Sequence, residues 1–281
     1  MRRFTRSRFG NFICVAFIIA AGMFTMLPLI YAVSTSFKPL DELLLFPPKF
    51  FVRRPTLENY LALPSLLSEQ AVPFSRYIVN SVTVSLVTTV AYIFISAMAA
   101  FGLSKSKFRF KDTLSTVVQL ALLFNAYTLA IPQYIILSKL HVIDTYFAYI
   151  LPYLATTLGV FLLKQYMDGY VSDAFIEAAT IDGAGYFRTF FQIVIPLIKP
   201  SILTLLLFSF RDTWSMLPSG TIFTEEIKTL PMVMSQIASG GIARSGSSMA
   251  VTVIMMIPPV IVYLISQSNI VESMSSAGIK E

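Results

Sequence analysis

Few side chains in this chain can do chemistry, and their types and spacing decide which kind. One carboxylate, Glu177, is followed by two alanines, Ala178 and Ala179, within a stretch over 173–200 that reads DAFIEAATIDGAGYFRTFFQIVIPLIKP. Ser172 and Asp173 are N-cap residues and helix formers follow them, so the spacing predicts a short helix over 174–181, broken by Asp182-Gly183. A second helical run is predicted over 186–195. It carries Phe187, Phe190, Phe191 and Val194 on one face, until Pro196 and Pro200 interrupt it. A single carboxylate beside two residues without bulk suits a surface that enters a groove on a partner. That is docking chemistry.

Covalent chemistry has no comparable candidate. No GxxxxGK[ST] sequence occurs, so the loop whose backbone amides cradle nucleotide phosphates is missing; GxSxG, HExxH and CxxC are missing too. The one cysteine, Cys14, lies in an apolar segment, and one cysteine excludes an intrachain disulfide framework. The one histidine, His141, has no other thiol or imidazole nearby with which to hold a metal, and reads as a loop residue. Hydrophobic residues make up 56% of the chain and charged ones 13%. With a mean hydropathy of +0.72, that composition is a polytopic membrane protein and excludes an ordinary soluble domain. The net charge of +6 is clustered beside apolar runs rather than interleaved with stacking aromatics, which favours a lipid surface over nucleic acid.

The elements that must position these residues are membrane spans. About 20 mainly apolar residues are needed per span. That ruler predicts six, at about 12–33, 77–103, 113–136, 146–163, 201–217 and 249–267. The basic start, Arg2, Arg3, Arg6 and Arg8, leads into an apolar run too long for a cleavable signal core, so the first span is expected to stay. Residues 40–74, rich in proline and charge, read as an external loop with short helical turns. Residues 104–111 carry Lys105, Lys107, Arg109 and Lys111 with no acid. The positive-inside rule then puts this segment, the 165–200 loop and both termini on the cytoplasmic side.

Arg211 and Asp212 fall within the fifth span. An unpaired charge there costs about 2.5 to 3.5 kcal/mol at the helix centre, so both should face protein or water. Pairing with a neighbouring span and a place in a solute path or gate both fit. Pro258-Pro259 should kink the sixth span, as a hinge or as a static bend. The stretch over 218–248 reads as a polar, glycine-containing loop.

The order Glu177-Ala178-Ala179, three residues, Gly183, nine residues, Ile193, one residue, Ile195-Pro196 resembles the EAA motif of binding-protein-dependent ABC importer permeases, with isoleucine where that motif prefers leucine. Other stretches are similar to the sugar branch of that family, the maltose- and oligosaccharide-type second permease. They are Ser34-Thr35-Ser36-Phe37-Lys38-Pro39, Thr56-Leu57-Glu58-Asn59-Tyr60, Tyr77-Ile78-Val79-Asn80-Ser81, Ala99-Ala100-Phe101-Gly102-Leu103, Ile150-Leu151-Pro152-Tyr153 and Phe161-Leu162-Leu163. The tail Ser276-Ala277-Gly278-Ile279-Lys280 is similar to the small-residue ending of sugar permeases, and a frayed terminus reads equally well.

The resemblance implies an all-α integral membrane protein with the type I ABC importer permease fold, in one transmembrane domain over 1–281. The 165–200 loop would be a cytoplasmic coupling loop that meets the ATP-hydrolysing subunit through Glu177, Ala178, Ala179, Asp182, Gly183, Ile193 and Pro196. Implied partners are a second homologous permease, an ATPase dimer, an extracellular solute-binding protein and the lipid bilayer, with no nucleic acid. Implied cofactors are none on this chain, with ATP and Mg at the ATPase subunits. The implied location is the bacterial or archaeal cytoplasmic (inner) membrane. The implied cargo is a sugar or oligosaccharide, with glycerol phosphate or a related polar solute as the alternative. A secondary carrier is the rival from another class. Against it stand the docking-type loop and the lack of a lone buried carboxylate suited to ion coupling.

Pyranose rings are held by amide hydrogen bonds and aromatic faces, so Asn80, Asn125, Tyr127, Gln133 and Trp214, with Arg211 and Asp212, are candidates for a substrate path. Interhelical hydrogen bonding is the other reading of the same residues. Two stretches depart from the branch. Arg211-Asp212-Thr213-Trp214 is followed by Ser215-Met216 where Trp-Asn-Asp is common, and Phe124-Asn125-Ala126-Tyr127 stands where many members carry a proline-bearing run. Substrate identity does not carry over.

Overall fold

Backbone polar groups find no water in a bilayer core and must be satisfied within the protein, which leaves helices as the solution for a chain of this composition. The computed structural model describes residues 8–66, 72–218 and 220–277, with the side chains of all but 8, 9, 126 and 268–277. Arg2, Arg3 and Arg6 of the basic start, and Gly278, Ile279 and Lys280 of the tail, lie outside the described residues. Among the described residues all regular structure is helical. The chain divides into two units, residues 1–74 with 233–256 and residues 75–232 with 257–281.

In the first unit, α1 (Arg8–Ser36) exposes Phe12, Phe17 and Phe24, as a lipid-facing helix does. Three short helices follow, α2 (Leu40–Leu43), α3 (Glu58–Leu61) and α4 (Leu63–Leu66), which are the helical turns predicted for 40–74. Polar side chains tie this segment down. Asn59 Nδ2 donates to the carbonyls of Ser36 and Lys38 at 2.9 and 2.8 Å, and Tyr60 Oη donates to Ser36 Oγ at 2.8 Å. Two stretches noted in the sequence, 34–39 and 56–60, thereby meet. A Cβ on Gly246 would come within 2.4 Å of Asn59 Oδ1, so glycine permits that approach.

The second unit is built on α5 (Phe74–Lys105), whose buried face runs from Tyr77 to Ser104. Its core joins Tyr92, Ala100 and Phe101 to Leu163, Met167, Phe190, Val194 and Leu205. Tyr92 Oη accepts the Gly159 N–H at 2.6 Å, and a Cβ at position 159 would lie 2.7 Å from Ser96 Oγ, so no larger residue fits there undisturbed. After α5 come α6 (Lys111–Ala121), α7 (Ala126–Lys139), α8 (Phe147–Leu154) and α9 (Leu158–Tyr170). Then follow α10 (Asp173–Ile181), α11 (Tyr186–Thr189), a π turn (Phe190–Val194), α12 (Ile195–Leu197) and α13 (Lys199–Trp214). The last helices, each divided between the two units, are α14 (Leu230–Ala238) and α15 (Ser245–Ala277), and α15 runs through Pro258 and Pro259 as one element.

Two expectations are corrected, and the count of spans is met in part. Helix length and apolarity give four candidate spans, Gly10–Ser36, Phe74–Lys105, Phe147–Tyr170 and Ile242–Gln267, or five when the segments 186–197 and 199–214, bent by 79°, count as one. The third predicted span, 113–136, is not one helix: the chain leaves the helix at Ala121, and the Asn125 side chain caps a new one by accepting the Tyr127 N–H at 2.9 Å. An asparagine in the middle of an apolar run competes for backbone donors and starts a helix better than it continues one. The stretch over 218–248 carries α14, which buries Leu230, Val233 and Ile237 and is no open loop.

Candidate functional site

The segment around Glu177 is a capped helix held at both ends. Ser172 Oγ accepts the Ala174 N–H at 3.3 Å, as an N-cap residue does. At the other end Gly183 takes φ +75°, the Gly183 N–H donates to Thr180 O at 3.1 Å and the Ala184 N–H to Ala179 O at 2.8 Å. This pair of bonds is the Schellman arrangement. A Cβ at 183 would meet nothing within 4 Å, so the left-handed backbone alone demands glycine. Glu177 and Ala178 are exposed, with Phe175, Ile181 and Asp182 beside them. Ala179 is only 4% exposed, packed under its own chain, so the exposed part of Glu177-Ala178-Ala179 narrows to Glu177 and Ala178.

Sequence reasoning missed what mounts this helix. Lys105, the last residue of α5, donates through Nζ to Asp173 Oδ1 at 2.8 Å; the lysine side chain is 7% exposed and the aspartate 78%. Ser104 Oγ donates to Asp168 Oδ1 at 2.5 Å, Lys164 Nζ pairs with Asp168 Oδ2 at 2.7 Å, and Lys111 Nζ donates to Ser104 O at 2.7 Å. The Lys105 hydrogen bond, and then its charge, hold the Asp173 carboxyl below the usual carboxylate range, with Lys111 and Lys107 adding to the field. The acid-free run over 104–111 was the available signal.

Beyond the turn, the predicted apolar face meets α5: Phe190 packs on Phe101, Phe191 stacks on Phe94 with ring centroids 6.3 Å apart, and Phe187 lines a cavity with Phe190, Met98 and Phe101. Phe190 and Val194 are buried with Thr189 and Ile198, whereas Phe187 and Phe191 are exposed. A π turn, with its wider repeat, lies within this face. It explains how the helix passes Pro196, whose ring would otherwise clash with the carbonyl four residues back. The break falls at Ile198, and Pro200 sits in the first turn of α13, where its missing N–H costs nothing. Ile193 is half-buried and Pro196 exposed.

The residues proposed for a solute path do not share one place. Asn80 is buried, its Nδ2 donating to the carbonyls of Glu226 and Lys228 at 2.8 and 2.9 Å. Trp214 is 2% exposed and stacks on Phe210 with ring centroids 5.9 Å apart. Asp212 is exposed and accepts from Tyr153 Oη at 3.5 Å, and Arg211 is exposed. Asn125 caps α7, and Tyr127 is 90% exposed. Gln133 alone among them lines a cavity of about 600 Å³, whose walls include Phe124, Pro132, Pro152, Thr156 and Thr157. Both helix interruptions, 122–125 and 155–157, supply its wall, which fits the rule that non-helical backbone in a membrane lines a cavity or is buried in protein.

Comparison with known proteins follows the same lines. Residues 91–276 match the family described as "Binding-protein-dependent transport system inner membrane component". The inner membrane ABC transporter permease protein YcjP of Escherichia coli (strain K12) is 28% identical over 280 residues, 98% of each chain. The arabinooligosaccharides transport system permease protein AraQ of Bacillus subtilis (strain 168) is 25% identical over 272 residues, 94% of each chain. The sulfoquinovosyl glycerol transport system permease protein SmoH of Agrobacterium fabrum is 28% identical over 275 residues, 96% of this chain and 93% of its own. A chain from the crystal structure of a bacterial ABC transporter involved in the import of the acidic polysaccharide alginate shares the fold, with a TM-score of 0.77 at 20% identity over 93% of this chain and 98% of that one.

Proposed function

The chain belongs to the family of binding-protein-dependent transport system inner membrane components, and from that premise we propose that it is the membrane-spanning subunit of an ATP-driven importer for a sugar or oligosaccharide. The carrying observation is the exposed Glu177-Ala178 face on a helix fixed at both ends, by Ser172 and by Gly183 at φ +75°. Such a face suits a groove on an ATPase subunit, with Glu177 offered to a cationic side chain there. ATP and Mg belong to those subunits, and this chain does no covalent chemistry. Relatives whose names specify arabinooligosaccharides and a sulfoquinovosyl glycerol support a carbohydrate cargo.

In this reading the broken pair α6–α7 crosses the membrane as well, so the four long helices, the bent pair and α6–α7 make six crossings in one domain, with both termini cytoplasmic. An external binding protein delivers the cargo, a second homologous permease completes the pathway, and the location is a bacterial inner membrane. Closure of the ATPase dimer moves α10, and the spans exchange inward-facing for outward-facing states. The test is copurification of the ATPase with the assembled permease pair. Glu177→Lys should lose the ATPase while still inserting in the membrane; full retention would overturn the docking role of this face.

A further inference from the structure

Resting on the reading of α10 as the ATPase-facing helix, we propose that Lys105 and Asp173 form the joint through which α10 moves α5. Covalently, α10 joins α9 through Val171 and Ser172 and α11 through residues 182–185, so the backbone alone would deliver its displacement to those two helices and not to α5. The ion pair adds a second route. Asp173 is the first residue of α10 and Lys105 the last of α5, and they meet at 2.8 Å. Ser104 beside it donates to Asp168 in the last turn of α9 at 2.5 Å, so the end of α5 is tied to both helices at the place where they join. An ordinary surface pair would carry little force. Here the lysine side chain is 7% exposed and lies in the field of Asp168 as well, so it is held in one place where two exposed side chains would not be.

The far end of α5 gives this joint its consequence. Tyr77 Oη donates to Glu225 Oε1 at 2.9 Å, Asn80 holds the carbonyls of Glu226 and Lys228, and Ser81 Oγ accepts the Leu230 N–H at 2.7 Å. Twenty-five residues of continuous helix separate Asn80 from Lys105, about 37 Å at 1.5 Å per residue. Displacement of Asp173 therefore reaches the 225–230 segment along one rigid element with hydrogen bonds at both ends. Lys105 and Asp173 are positioning residues, and neither belongs to the exposed Glu177-Ala178 face.

The experiment uses the full importer, with partner permease, ATPases and binding protein, reconstituted in liposomes. It compares Lys105→Met, Asp173→Asn, the double variant and Lys105→Arg by ATPase retention, ATP hydrolysis and sugar uptake. Both single variants should keep the ATPase yet lower the sugar carried per ATP by about five-fold or more, the lower end of coupling between distant sites. The double variant should lose no more than either single, because both remove one interaction. Lys105→Arg should restore coupling. Normal coupling in the singles, additive losses in the double, or no rescue by arginine would overturn the joint. So would loss of the ATPase from Asp173→Asn, which would make the pair an assembly element. Failure of the docking reading looks different: Glu177→Lys would then keep its ATPase while these variants were still uncoupled.

Discussion

Tyr146 donates its hydroxyl to the Asn80 amide oxygen at 2.8 Å, completing a side chain whose nitrogen already reaches the carbonyls of Glu226 and Lys228. Every polar atom of Asn80 is thus spent on holding the chain together. Replacing it by leucine keeps the approximate shape and strands two carbonyls and a hydroxyl, a loss of about 1 to 3 kcal/mol. Asn80→Leu should melt earlier in thermal unfolding of the purified complex and be nicked sooner by protease within 223–230. Normal melting with impaired uptake would return Asn80 to the solute path.

Gly183 offers a sharper distinction. With φ +75° and no neighbour within 4 Å of where a Cβ would stand, the cost of substitution is backbone strain alone. Asparagine tolerates that region and a β-branched residue does not, a difference of about 1 to 3 kcal/mol. Gly183→Asn should keep both the ATPase and transport, while Gly183→Val should lose them. Equal loss in both would mean that the glycine is needed for close approach of a partner.

These two residues also mark what a sequence can disclose. The helix over 173–181 and its turn were legible because caps and a left-handed glycine are local signals, and α1, α5 and α15 were legible by length. Asn80 stayed open between solute path and interhelical hydrogen bonding because its partners lie 146 and 148 residues away. Lys105 and Asp173 are 68 residues apart, so the basic run showed its charge but not its partner. The third span failed for a different reason: apolar composition continues across 122–125, while the chain's hydrogen bonding does not. The π turn at 190–194 left no sign beyond Pro196 downstream.

Ala178 and Ala179 are adjacent and should behave differently. Ala179 lies against its own chain, so leucine there overpacks the permease and should lower its melting temperature, at about 1 to 3 kcal/mol. Ala178 is exposed, so leucine there should leave melting unchanged and weaken ATPase retention. Unimpaired retention in Ala178→Leu would remove that alanine from the docking face.

Asp144 predicts a pH effect outside the spans. Its carboxylate accepts the N–H groups of Phe223 and Thr224, each at 2.8 Å, and the Thr224 hydroxyl, and that hydroxyl foremost holds its pKa below the ordinary value. A folded value under the unfolded one, about 3.9, means that the stabilisation is present above the unfolded value and is lost as pH falls through the folded one. Asp144→Asn keeps the residue's φ of 59° accessible, since asparagine tolerates the left-handed region. The wild type should melt above this variant by a constant margin at pH 7 and 5, and the margin should shrink below about pH 4. A margin independent of pH would mean that the carboxylate charge is not what holds 223–224.

Gln133 and Trp214 separate the solute path from the scaffold. Trp214 is buried against Phe210, so Trp214→Ala removes a large core side chain and should cost about 3 to 5 kcal/mol, with uptake falling in step with the amount of folded complex. Gln133 lines the cavity of about 600 Å³ together with Thr156 and Thr157. A volume in that range suits a small solute, and a few polar groups among apolar walls suffice to orient a sugar. Gln133→Leu keeps the bulk and removes the amide, so assembly and melting should match the wild type. Uptake at limiting sugar should fall, by an amount in keeping with one lost hydrogen bond of about 0.5 to 1.5 kcal/mol. The two variants thus predict opposite pairs of readings, stability without specificity for one and specificity without stability for the other. Normal uptake in Gln133→Leu would exclude this cavity from the path and leave the contacts with sugar to the second permease.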